Sequence, residues 1–254
     1  MPFYERYRLG YPERLIRHVA AFMGLAPGDT VLDLGCGPAL LAIPFATAGM
    51  RVTAADPEPD MLDAAAAAAR GAGVTLELCC RGSYELAPEM GPYRLVTIGR
   101  AFHWMDRAAT LRMLDRIVMP GGAVALFHDR HPDTVENRWT KVLREIGDRY
   151  GRSAEPHVAE VRADGYRTHE SLLLASAFSV LDGVSVTIQK PISVDGIVGR
   201  AFSMSTCSRE KLAERANAFE SDLRAALTAL SAGGEFSEIA EIVALLARRP
   251  RDCT

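Results

Sequence analysis

The stretch that decides the fold is VLDLGCGPALL, Val31 to Leu41. An apolar run, Val31 to Leu34, ends at Gly35, and a helical pattern begins at Leu40. A short apolar run that stops at glycines and passes into a helix reads as a buried parallel strand opening a βαβ unit. A turn of that kind gathers backbone N–H groups at a helix start, where a nucleotide-bearing ligand can be held.

Outward from this turn the pattern repeats. Pro12 to Phe22 is helical, with Leu15, Val19 and Phe22 on one face, and LAPGDT is the turn before the first strand. RVTAAD, Arg51 to Asp56, is a second strand, and Pro59 to Arg70 is an alanine-rich helix with proline in its first turn. GVTLELCC gives the third strand and Arg94 to Ile98 the fourth. Asp106 to Val118 is a helix stopped by the Pro-Gly-Gly at Pro120, and Ala123 to Asp129 is the fifth strand. Alternating strands and helices predict right-handed βαβ units in a doubly wound α/β sheet. Beyond Asp129 the rhythm changes. Residues 134–177 look mostly helical, 178–194 alternate like one or two strands, and 196–205, 209–232 and 236–248 look helical, with a frayed tail from Pro250. The expectation is one domain, 1–254, with a ligand-binding core at about 12–130 and a helical lid at about 134–177 and 196–248.

Composition narrows the class. With 254 residues and 48% hydrophobic content, the chain has ample core for independent folding. A net charge of −3 offers no global field for nucleic acid or anionic membrane. No run approaches a membrane helix, and the polar, aromatic start MPFYERYRLGYPERL lacks a secretory h-region. Five cysteines, at 36, 79, 80, 207 and 253, fit neither a zinc spacing nor a disulfide framework, so a reduced, cytoplasmic protein is expected. The only lysines are Lys141, Lys190 and Lys211, and alanine is abundant; this GC-rich bias associates with natural-product chemistry.

Ligands of such sheets sit at the carboxyl ends of the strands. That selects Gly35, Cys36 and Gly37, then Asp56, the segment 83–85, the segment 99–104 and the segment 128–131. Two cofactors are open at the glycine turn: a dinucleotide gripped by its pyrophosphate, or S-adenosylmethionine. A dinucleotide fingerprint needs a third glycine where Leu40 stands. Asp33, two residues before the turn, would repel a phosphate and suits a cationic amino group. Asp56 follows the turn at the spacing of an acid that takes ribose hydroxyls, which serves any adenosine ligand.

At these residues the chain resembles the class I S-adenosylmethionine-dependent methyltransferases. VLDLGCGPALLAIPFA is similar to their first motif, and VTAADPEPDMLDAA, with Asp56, Pro57 and Met61, to their second. CRGSYELAP resembles the adenine-side segment, with Ser83 and Tyr84 in place of the usual acid and alanine and Glu85 matching the glutamate. YRLVTIGRAFHWMD, with Arg100 and Ala101, resembles the fourth motif of the small-molecule branch that includes trans-aconitate methyltransferase-like proteins. YERYRLGYPERL resembles the N-terminal segment of that branch, which implies Tyr7 and Arg8 as cover over the cofactor. The resemblance covers about residues 4–130 and implies a Rossmann-like, mostly parallel seven-stranded sheet with a helical lid. It also implies S-adenosylmethionine as methyl donor, S-adenosylhomocysteine as product and a small-molecule acceptor.

Methyl transfer from a sulfonium is an in-line displacement that depends on orientation and exclusion of water. A general base is needed for a hydroxyl or a protonated amine. His103 after the fourth strand and His128 with Asp129 after the fifth are the candidates, against packing roles for each. Trp104 is expected to wall the pocket, and Trp139 and Phe202 to line it from the lid. Tyr4 and Tyr11 are weighed with Tyr7 as aromatic cover, His131 as a cap or solvent-facing residue, and His18, His157 and His169 as surface residues. No metal site is expected. The leading reading is N- or O-methylation of a natural product in secondary metabolism or antibiotic biosynthesis. An amino sugar is attractive as acceptor because Asp106, Asp129 and Asp133 could hold ammonium groups. An RNA or protein methyltransferase, a dinucleotide-dependent oxidoreductase and a non-catalytic cofactor-binding regulator stay open as alternatives.

Overall fold

The structure is a computed structural model and describes residues 7–154, 158, 161, 165–231 and 233–250. Tyr4, His157 and Cys253 lie outside the described residues, as does the tail beyond Pro250. The elements in chain order are α1 (Glu13–Met23), β1 (Thr30–Leu34), α2 (Ala42–Thr47), β2 (Arg51–Ala55), α3 (Pro59–Ala72), β3 (Glu77–Cys79), β4 (Tyr93–Gly99), α4 (Arg107–Ile117) and β5 (Val118–Arg130). They continue with α5 (Arg138–Arg149), α6 (His169–Leu174), β6 (Val180–Ser193), α7 (Val194–Phe202), α8 (Arg209–Leu212), α9 (Ala216–Leu230) and β7 (Glu235–Arg248). The seven strands form one sheet in the order β3-β2-β1-β4-β5-β7-β6. The pairs β1–β2, β1–β4, β2–β3 and β4–β5 are parallel. The fold is therefore the Rossmann-like, doubly wound α/β arrangement. Its strand order reverses between β1 and β4, and a crevice opens at such a point.

The chain divides into two compact units. The larger contains residues 10–128, 167–186 and 242–254; the smaller contains 1–9, 129–166 and 187–241. The break at 128/129 matches the change of rhythm in the sequence, but two later segments return to the larger unit.

In the larger unit, β1 and β4 are largely buried, which explains their mostly apolar character, and their buried polar residues Asp33 and Thr97 bond to each other. Leu32, Leu34, Val96, Ile98, Val124 and Leu126 form a core against Leu111, Leu114 and Ile117 of α4. Each such side chain contributes about 1.5–3 kcal/mol relative to exposure. Asp106 caps α4, its carboxylate accepting from the Ala109 N–H at 2.9 Å. Proline opens α3, and Gly73, left-handed at φ +68°, closes it.

In the smaller unit, Trp139, Leu143 and Ile146 of α5 share a core with Ile197, Ala201 and Phe202 of α7 and Phe219, Leu223 and Leu227 of α9. Phe202 and Phe219 meet edge to face at 5.7 Å. The expected helix over 209–232 is broken: α8 ends at Leu212, Ala213 takes φ +49°, and α9 starts at Ala216.

One expectation is overturned. Residues 236–248 form not a helix but strand β7, with alternating burial from Phe236 through Leu246. Alanine, leucine and glutamate favour a helix locally, but ladder pairing and burial between β5 and β6 outweigh a propensity of a few tenths of a kcal/mol per residue. Among the described residues, no helix is long and apolar enough to cross a membrane.

Candidate functional site

The site in the larger unit is built on the turn after β1. The N–H groups of Gly35 and Cys36 both donate to the Ala55 carbonyl, at 2.8 and 3.0 Å, tying the turn to the end of β2. Gly35 sits at φ +70°, and a Cβ there would stand 2.6 Å from the Ala101 Cβ. Only glycine lets the β1 and β4 turns come this close. Gly37, at φ +51°, has open space where its Cβ would be, so a ligand can approach the backbone there.

Asp56 is buried and locks this arrangement. One carboxylate oxygen accepts from the Gly37 N–H at 2.9 Å and the other from the Glu58 N–H at 3.0 Å. A carboxylate has about four acceptor directions, so each oxygen keeps capacity for a hydroxyl donor. Pro57 is exposed and Met61 half-buried beside it.

Asp33 is buried deeper, at 1% exposure. Its oxygens accept from the Thr97 hydroxyl at 2.9 Å and the Ala42 N–H at 3.0 Å, so it braces β4 and the start of α2. Burial raises its pKa to about 7, against the lowering effect of those hydrogen bonds; the Asp56 charge adds to the rise. Burial, helped by Asp33 and Asp56, also pushes the Cys36 thiol far up, which makes it an inert small residue. Thr97 escapes sequence reading because its partner lies 64 positions away.

After β3, Glu85 folds back to accept from the Gly82 N–H at 2.8 Å. Ser83 is half-buried, and Tyr84 is 82% exposed with its ring over Gly82. After β4, Arg100 takes φ +56°, its N–H donates to the Phe127 carbonyl at 3.0 Å, and its guanidinium lies 4.7 Å over the Tyr11 ring. Non-glycine residues held at positive φ cluster at functional sites. Tyr11 is buried, reaches Gly99 and packs edge-on against Phe127. His103 and Trp104 are both exposed, ring on ring at 4.8 Å, so Trp104 does not have the burial of a pocket wall.

His128, near the end of β5, is half-buried. His169, expected on the surface, is instead half-buried against Phe102 at 5.1 Å and beside Arg107. Burial, then the charges of Arg107 and His128, hold its pKa below the usual histidine range. The structure thus gathers Asp33, Gly35, Cys36, Gly37 and Asp56 around one turn, with Ala101 against it, places Tyr11 beside Gly99, and adds Thr97 and His169 to the candidates.

Tyr7, Arg8 and Asp129 belong to the smaller unit. The Tyr7 ring occupies the place a Gly199 side chain would take, and its carbonyl accepts from Arg200 Nε at 3.3 Å. Arg8 donates to the Ser203 carbonyl at 3.2 Å. His131, expected as a cap or facing solvent, meets the fully buried Glu238 at 2.7 Å. Glu238 is also gripped by both terminal nitrogens of Arg200, with Lys190 at 3.7 Å. Burial alone would raise the Glu238 pKa, but the bonds from His131 and Arg200 prevail and hold it down at about 2. Among the described residues, no cluster of three or more histidine, cysteine or acidic side chains could hold a metal.

Comparison with known proteins agrees with this geometry. Residues 31–122 match a family described as a methyltransferase domain. An uncharacterized methyltransferase of Mycobacterium tuberculosis is 31% identical over 154 residues, 60% of this chain and 58% of its own length. The chain therefore matches less than two thirds of that relative. A ubiquinone biosynthesis O-methyltransferase of Methylocella silvestris is 34% identical over 96 residues, 37% of this chain and 38% of the relative. Among solved structures, an S-adenosylmethionine-dependent methyltransferase from Thiobacillus denitrificans, in complex with S-adenosyl-L-homocysteine, superposes with a TM-score of 0.52. That likeness covers 97% of this chain and 96% of the other at 16% identity, and carries the fold alone.

Proposed function

We propose, from the premise that residues 31–122 belong to the class I S-adenosylmethionine-dependent methyltransferases, that this chain methylates a small organic acceptor. The observation that carries the reading is Asp56. Its carboxylate ties Gly37 and Glu58 together at the mouth of the glycine turn, and its oxygens keep directions for two ribose hydroxyls.

The residues present fit S-adenosylmethionine. Open space at Gly37 admits a close ligand, and Gly35, Cys36, Asp56, Pro57 and Met61 would line the ribose side. Ser83, Tyr84 and Glu85 would lie on the adenine side, and Arg100 and Ala101 on the side of the amino-acid tail. Tyr7 and Arg8 are proposed as cover. Asp33 serves as a positioning residue, because both of its oxygens brace the turn. When bound, the cofactor supplies a methyl group on a positively charged sulfur. The chain's own work is to hold the acceptor in line and remove its proton. His103, His128 and Asp129 are the candidate bases. The ubiquinone O-methyltransferase relatives favour a hydroxyl acceptor over an amine. A role in natural-product assembly, in the cytoplasm, completes the reading.

The test is ligand-dependent melting. S-adenosylmethionine at a hundred times its Kd should stabilise the chain by about 2.7 kcal/mol, and NAD should not. Asp56→Ala should weaken S-adenosylmethionine binding at least tenfold by calorimetry. A shift with NAD alone, or unchanged affinity in the variant, would sink the reading.

A further inference from the structure

The smaller unit holds a cavity of about 180 Å³. An engineered apolar cavity of about 150 Å³ already admits benzene, so this one takes a substituted ring or a branched chain of similar size. Its apolar walls are Trp139, Leu143 and Met204.

Its polar lining is strongly one-sided, with four arginines, at 8, 144, 152 and 200, against the single carboxylate of Asp129. Arg200 is occupied by Glu238, and Arg152 by Asp148 at 3.1 Å. Arg144 is exposed and makes no ion pair among the described residues. A second observation is independent of charge. Trp139 is 1% exposed, and its indole N–H is buried without an acceptor. A buried donor left unmade costs about 1–3 kcal/mol, which an acceptor entering the cavity would recover.

We propose that this cavity binds a small organic acid. The apolar body rests on Trp139, Leu143 and Met204, and the carboxylate is drawn by Arg144 and accepts from the Trp139 indole. Asp129 is placed to accept from a hydroxyl on the same ligand. The binding claim stands on the smaller unit alone; that the bound acid is the methyl acceptor rests on the methyl-transfer reading. Ammonium-bearing sugars, by contrast, would meet a surplus of guanidinium groups.

Benzoate and its uncharged isostere benzamide test this on the whole chain, by calorimetry and by the indole N–H resonance of Trp139 in a Trp104→Phe background. Benzoate should bind at least tenfold more tightly than benzamide and move that resonance. Arg144→Ala, an exposed change that leaves the core alone, should weaken benzoate about tenfold and leave benzamide unchanged. Trp139→Phe keeps an aromatic ring, though a smaller one, and removes the donor, and should weaken benzoate more than benzamide. Equal affinities for the two probes, an unmoved resonance, or an indifferent Arg144→Ala would overturn the proposal. None of these readings depends on S-adenosylmethionine, so failure of cofactor binding and failure of this site are separable.

Discussion

Asp33, two residues before the glycine turn, and Asp56, directly after β2, both brace that turn and do different work. The position of Asp56 was legible in the sequence because it is marked locally: a strand ends, an acid follows, and the next helix begins. The partners of Asp33 were not, because Thr97 lies on another strand. Sequence reading put a charge at Asp33, suited to an amino group; burial makes it a carboxylic acid up to about pH 7. The sign follows directly. A folded pKa above the ordinary 3.8 gives stability that is full below 3.8 and is lost as pH rises through 7. The loss is at most roughly 4 kcal/mol at 1.36 kcal/mol per pH unit. Asp33→Asn cannot ionise and should therefore gain on the wild type as pH climbs from 4 to 8. Parallel melting temperatures of the two proteins across that range would refute a buried, titrating Asp33.

At the scale of elements, the first, second and fourth strands and their helices were legible to within a residue or two, because runs such as Val31 to Leu34 and Arg94 to Ile98 are mostly apolar and bounded by turns, while β3 is shorter than GVTLELCC and β5 starts at Val118, ahead of the expected Ala123. β7 was not legible. Its buried positions carry Phe236, Glu238, Ala240, Ile242, Ala244 and Leu246, and the intervening positions also carry Ile239, Val243 and Leu245. Apolar residues on both faces hide a period of two, and local propensity then points to a helix. Neighbouring substitutions tell the two apart. Ala244→Glu places an unpaired charge in the sheet and should destabilise by more than about 3 kcal/mol, while Val243→Glu, on the less buried face, should cost far less. Urea midpoints for the two variants read this directly; equal losses would contradict the alternation.

At the scale of the whole molecule, a deeply buried ion-pair system gathers at Glu238, whose partners Arg200 and His131 stand 38 and 107 positions away. Nothing local marks such a cluster, which is why sequence reading took His131 as a cap or solvent-facing residue and did not single out Arg200 at all. Its folded pKa of about 2 lies below the ordinary 4.5. Its contribution is therefore full above pH 4.5 and is shed as pH falls to 2, roughly 3 kcal/mol in all. Glu238→Gln should lose about 3–5 kcal/mol at pH 7, because Arg200 is left buried without a counter-charge. The same variant should lose less than the wild type does on going from pH 5 to pH 3 in denaturant titrations. An unchanged acid limb would remove Glu238 from the balance. The chain passes repeatedly between the two units, with each drawing on three separate segments of sequence. No single cut yields either of them whole, so neither truncation nor a simple fusion of halves can graft the arginine-lined cavity onto another scaffold. A change in what that cavity holds is then a matter of point substitution within the interleaved chain.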